Sequence, residues 1–270
     1  MRSLFRYSHL ARSFGFTEPN HRLVVGMATL VGLFAYPRSG ILGGLEAAAT
    51  AFLAWALARE LDPDQPGAAP WVAAAATLPT LFVGGTSLAA LALLMLAARM
   101  VARTTGLPPT PADMIGLLTL AGFAAVRTPG WISGMALAVA VAVDVSLPPP
   151  APRRQLAWAA AMGLAVSAVA GLAGSPDPWI PPTTVHWVAV GLGLAGAVVL
   201  TVPHPVGSVA DRTAEPLDVS RVRLARLLVL TAAAVTALVG GADGMGALLP
   251  VWLVLAGLGA ARLGRSETPS

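Results

Sequence analysis

The chain has 270 residues, of which 56% are hydrophobic and only 11% charged, with a formal net charge of +4. Ordinary soluble domains carry about 25% charged residues, so a wholly water-covered surface is excluded and lipid must solvate much of the chain. All seventeen cations are arginine and cysteine is absent, which rules out lysine Schiff bases, a P-loop lysine, thiolate nucleophiles, thiolate metal sites and disulfides.

The arginines flank apolar segments and form no patch interleaved with aromatics, so the positive excess does not read as nucleic-acid binding. Aromatics make up 6%, and the apolar bulk is Ala, Leu, Val and Gly, a composition suited to helices that pack on helices within lipid.

Residues 1–22 form a basic cytoplasmic segment ahead of the first apolar run. Within it, MRSLFRYSHLARSFGF places Leu4, Tyr7, Ala11 and Phe14 on one helical face, with Arg2, Arg6 and Arg12 over the rest. A short helix lying on anionic lipid and a frayed basic tail are equally good readings. No small-residue cleavage site follows the first apolar run, so the N-terminus is expected to be kept.

Long apolar runs then follow at 23–36, 41–58, 68–83, 86–102, 112–127, 131–148, 155–173, 184–202, 222–239 and 245–262. Several are shorter than the ~20 residues a bilayer core requires, so the arginines are the better judge of their number. With ten spans and the N-terminus inside, fifteen of seventeen arginines lie on the cytoplasmic side, leaving Arg38 and Arg127 outside. Fusing the weakest pair of runs at Gly84-Gly85 would leave only six inside. The positive-inside rule therefore favours ten. The predicted fold is an all-α polytopic transmembrane bundle of about ten spans, eight at the fewest, with both termini cytoplasmic. A single transmembrane domain covers 23–262, followed by a cytoplasmic tail at 263–270. Small residues at Gly163, Ser167 and Gly171, and at Gly191 and Ala195, predict close helix packing.

The densest charge cluster is Arg59-Glu60-Leu61-Asp62-Pro63-Asp64-Gln65. Pro63 disfavours helix at Asp62. An extended chain there would turn Glu60, Asp62 and Asp64 to one side, spaced to share Mg²⁺ and leave positions for a phosphate. Arg99 and Arg103 on the next cytoplasmic connection would grip that phosphate, with Asp113 and Asp144 as further members. The bland readings are helix capping by Asp62 and by Asp113, an Arg59 that snorkels, and an Asp144 that reaches the interface. Glu46 lies about six residues into the second run, beside Gly43, Ala49 and Thr50. An acid at that depth is costly and marks a candidate intramembrane site. Its partners on that side are Arg38 and Arg127, which would either lock it in a structural pair or leave it to couple to a solute. His186 with Asp177 is too little for a metal, and His9, His21 and His204 lack ligand spacing.

The string A-R-E-L-D-P-D at 58–64, with R-T-T-G-L-P at 103–108, resembles stretches of uncharacterised polytopic membrane proteins. The resemblance implies a membrane protein and attaches no activity. Aspartates at prenyl-transfer spacing, a spaced aspartate set for head-group alcohol transfer, HExxH, a serine elbow and a glycine-rich phosphate loop are all absent from the sequence. If the halves form an inverted repeat, Asp62-Pro63-Asp64 corresponds to Ser175-Pro176-Asp177-Pro178, as in some transporters.

These features favour an integral plasma-membrane protein of permease type, with Glu46 as coupling or substrate residue. One alternative is an enzyme on a phosphorylated lipid at the cytoplasmic face, the only reading that calls for Mg²⁺; otherwise no cofactor is expected. Another is a membrane scaffold. The expected partners are the bilayer and anionic lipids at the cytoplasmic face, with a homo-oligomer or membrane partner left open and nucleic acid excluded.

Overall fold

Alanine and leucine favour helix while glycine and proline interrupt it, and the chain alternates stretches of each kind. The computed structural model describes residues 8–12, 15–174 and 179–265. It is all-α: among the described residues the one β feature is an isolated antiparallel bridge between Val209 and Pro216. Most of the amphipathic face expected over 1–16, the Asp177 loop and the tail beyond Arg265 lie outside the described residues. Residues 8–12 are not helical.

Helix α1 runs Pro19–Leu61 and begins with proline at its first position, where the missing N–H costs nothing. It is not one rod. Gly40 takes φ 69° three residues after Pro37, and the chain reverses there into two arms, 19–39 and 41–61. A Cβ on Gly32 or on Gly44 would lie 2.9 Å from the carbonyl oxygen of the other. The rings of His21 and Trp55, far apart in sequence, meet edge-on with centroids 5.6 Å apart. These two arms are the first two apolar runs.

The third run is broken at Leu78-Pro79 into α2 (Ala69–Thr77) and α3 (Thr80–Val83). Gly84 and Gly85 both adopt positive φ, a reversal that glycine makes without strain. Helix α4 (Leu88–Ala102) then starts at Ser87, whose hydroxyl accepts from the Ala90 N–H at 3.3 Å. Helix α5 (Pro111–Ala124) opens with the reciprocal Thr110–Asp113 capping box that the sequence suggested. Then come α6 (Thr128–Ser146), α7 (Gln155–Leu172) and α8 (Thr184–Thr201). Helix α9 (Val219–Ala247) is turned at Gly241, φ 55°, and α10 (Leu249–Arg265) completes the bundle.

Among the described residues five helices are long and apolar enough to cross a membrane: α1, α6 from Pro129 onward, α7, α8 and α9. Leu42, Leu164, Leu172 and Val198 lie exposed on their outer faces, an apolar surface that suits lipid rather than water. The core centres on α4, where Leu91, Leu93, Leu94, Ala97, Ala98 and Val101 are fully buried among α1, α6 and α9. The turns at one end are stitched together. Ser87 N–H donates to the Ala247 carbonyl at 3.1 Å, and Ala242 N–H to the Ile180 carbonyl at 2.8 Å.

Small residues do bring two helices into close contact, but through positions other than those expected. Gly163, Gly171 and Gly191 have open space where a side chain would go. The close approach is between α8 and α10: a Cβ at Gly196 would collide with the Leu255 carbonyl, and one at Gly259 with the backbone of Gly196. A spacing of four marks a face able to pack, and the interface here follows the next face round, through Gly193 and Gly196. Gly196→Leu is expected to cost about 3 kcal/mol or more through overpacking, lowering the thermal midpoint in detergent. Gly191→Leu should leave the midpoint unchanged; equal effects of the two would show that the α8–α10 contact is not formed.

Candidate functional site

The charged residues fall into two groups at opposite ends of the bundle, and the groups are built differently. At the first end every buried carboxylate is held by arginine. Glu60, fully buried one residue before the end of α1, takes the Arg99 Nε at 2.8 Å and Nη2 at 2.7 Å on one oxygen. Its other oxygen accepts from the Thr104 hydroxyl, and Arg12, itself 2.7 Å from Asp211, lies 3.6 Å away. Asp62 is gripped by Arg262 of α10, Nε at 2.9 Å and Nη2 at 3.2 Å, with Arg226 at 3.5 Å. Arg226 also donates to the carbonyls of Leu61 and Leu200, at 2.6 and 2.7 Å, closing the ends of α1 and α8.

Asp144 joins three helices. It accepts from Arg103 at 2.8 and 3.2 Å and from Arg221 of α9 at 2.7 Å. Arg221 spends its remaining donors on the carbonyls of Val101, Leu147, Pro148 and Pro149. Such multidentate bonding needs the planar, five-donor guanidinium, which gives the lysine-free composition a structural role.

The extended strand expected at the acidic loop is not formed. Helix α1 stops at Leu61 and the chain enters tight turns, with Gln65 N–H donating to the Asp62 carbonyl and Ala68 N–H to that of Gln65. Glu60, Asp62 and Asp64 therefore diverge. Asp64 accepts from the N–H groups of Gly207 and Ser208, at 3.1 and 2.8 Å, and from the Ser208 hydroxyl at 2.6 Å. Asp62 is the C-cap of α1, not the N-cap of α2, which starts from Ala68. Asp113 is absorbed by its capping box and by the His9 N–H at 2.9 Å. Asp144 is wholly buried and does not reach the interface. Arg59 folds back over the Trp55 ring at 5.2 Å, 3.4 Å from the His21 Nε2. Among the described residues no three His, Cys, Asp or Glu side chains gather to hold a metal.

At the opposite end, charges line cavities without touching one another. Glu46 is exposed to a cavity of about 170 Å³ bounded by Arg38, Ser39, Thr50, Thr80 and the Gly84–Thr86 turn. It forms no ion pair with Arg38 or Arg127 among the described residues, and Arg38 instead lies 5.0 Å over the Phe34 ring. Across the same Gly84–Thr86 turn is a second cavity of about 510 Å³, lined by Arg127, His186 and Asp243. Glu46 is thus not in the bundle interior: the Gly40 reversal places it near an open rim.

The sequence reading missed Arg221, Arg226 and Arg262 as partners of the acids, and Asp243 at the cavity. Arg226 lies well inside the ninth apolar run, and that depth alone should have marked it. Comparison of the chain with protein-family models, curated proteins and solved structures finds no match.

Removing one partner of a buried ion pair costs about 3–5 kcal/mol. Asp144→Asn, which strands the charges of Arg103 and Arg221, is expected to lose that much, read as a lowered unfolding midpoint in detergent. Asp64→Asn, bonded mainly to loop N–H groups, should cost about 1 kcal/mol. An Asp144→Asn protein as stable as the parent would mean that the Arg–Asp–Arg bridge does not hold these helices.

Proposed function

We propose that the chain is a ten-span plasma-membrane protein of permease type that admits a small polar solute at the end opposite its arginine–carboxylate clamps. The observation that carries this is Glu46, which faces a cavity together with Arg38 and is paired with neither Arg38 nor Arg127. Elsewhere in the molecule buried carboxylates have a guanidinium within hydrogen-bonding reach. Charge left free in a cavity is charge available to a solute.

Backbone breaks support the same reading. The helices turn or break at Gly40, at Leu78-Pro79 and at Gly241. Interrupted helices that leave backbone groups facing a cavity are a recurring feature of solute pathways. The arms of α1, the α2–α3 pair, and α4 through α10 supply ten apolar segments, and the arginine distribution assigns the cavity end to the outer face.

The lipid-enzyme alternative draws on a cavity of about 360 Å³ lined by Arg12, Arg59, Arg99 and His21 with apolar walls from Val25, Phe52 and Met95. Its carboxylate, Glu60, is committed to Arg99 and Thr104. Metal-assisted chemistry there would have to break the clamp first, so permeation is the better reading.

In proteoliposomes, Glu46→Gln is expected to reduce solute uptake at least about tenfold, equivalent to roughly 1.4 kcal/mol, while the unfolding midpoint stays put. Unchanged uptake by that variant would remove Glu46 from the pathway. The cysteine-free chain also makes sidedness directly testable. An impermeant maleimide should label Ser39→Cys on intact cells and Ser220→Cys only after permeabilisation; the reverse pattern would invert the bundle.

A further inference from the structure

The second cavity has features that point to the kind of solute it takes. His186 is 8% exposed and is the third residue of α8, where the Thr183 N–H donates to its Nδ1 at 3.2 Å as part of the helix cap. A ring nitrogen that accepts from an N–H carries no proton, so in the neutral ring the proton sits on Nε2. That Nε2 has no partner among the described residues and lies against Gly246 on the cavity wall. A Cβ added at Gly246 would stand 3.6 Å from it. The cap thus fixes a solvent-reachable N–H donor at the cavity wall.

Arg127 and Asp243 line the same space, both are exposed, and no ion pair joins them. Arg127 stands at the N-cap of α6, where the aligned peptide dipoles add positive potential. The Thr86 hydroxyl, on the turn that both cavities share, is buried without a hydrogen-bond partner. One positive pole, one fixed donor and one negative pole therefore bound a volume of about 510 Å³ whose net charge is zero. A simple anion or a simple cation would satisfy one pole and meet the other unfavourably; a solute carrying both charges satisfies the two at once.

We propose that this cavity binds a small zwitterion with a carboxylate and an ammonium or quaternary ammonium group. The carboxylate is taken by Arg127 and the His186 Nε2–H, and the cationic end by Asp243. The proposal names the solute class of the permease reading and rests on it for transport, but not for binding.

The test is equilibrium binding to the purified full chain in nanodiscs, with no gradient. Glycine and glycine betaine serve as zwitterions, acetate and methylammonium as single-charge controls, and inorganic phosphate as a bare oxyanion. A zwitterion is expected to bind at least about tenfold more tightly than any control. Arg127→Gln and Asp243→Asn should each lose about tenfold or more in that affinity with an unchanged unfolding midpoint, because both side chains are exposed and unpaired. Acetate or phosphate binding as tightly as the zwitterions would overturn the proposal. So would zwitterion binding that survives Asp243→Asn, or no zwitterion binding up to about 10 mM, a free energy under 3 kcal/mol. Binding without uptake would sink the permease reading alone; uptake confined to singly charged solutes would sink this one alone.

Discussion

The buried guanidinium–carboxylate contact is the constraint on which the rest of the molecule depends. A carboxylate deprived of water is several kcal/mol out of balance unless it is ion-paired and hydrogen-bonded on both oxygens. Glu60, Asp62 and Asp144 each meet that demand with arginines from other helices. The helices so joined are α1 to α4, α1 to α10, and α6 to both α9 and the end of α4. Since the same arginines also satisfy terminal carbonyls at Leu61, Leu200, Val101 and Leu147, they resolve two costs together: buried charge, and the unpaired ends that each helix leaves.

Fixing one end leaves the other free to be different. Where the helices reverse at Gly40, Gly84-Gly85 and Gly241, the backbone is interrupted and acids and arginines stand apart around two adjoining cavities. Rigid anchoring on one side stands against loose polar lining on the other. Exposed apolar side chains on α1, α7 and α8 complete the surface.

Much of this architecture is written plainly in the sequence. The Pro37–Gly40 reversal, the Thr110–Asp113 cap and the breaks at Gly84-Gly85 all rest on local backbone chemistry, which the residue types specify by themselves. The clamps were not legible, because pairing partners are a property of three-dimensional proximity. Asp144 finds Arg221 from 77 residues away, and Asp62 finds Arg262 from 200 away. The acidic loop misled for the opposite reason. Three carboxylates at alternate positions suggest one shared site, but the turn at Asp62 to Gln65 rotates them toward different helices. Similarly, spacing identified small-residue faces on α7 and α8 without saying which face a neighbour would choose.

The separation in sequence between the partners bears on how the molecule is made. Residues 60, 62 and 144 are made early in synthesis, whereas Arg221, Arg226 and Arg262 emerge only with α9 and α10. Until then Asp62 has no counterion, and Asp144 has only Arg103. The first hairpin therefore cannot complete its clamp from its own residues: Asp62 depends on Arg262 of α10 and on Arg226 of α9. A chain cut short before α9 would therefore carry an unclosed clamp at the ends of α1 and α6.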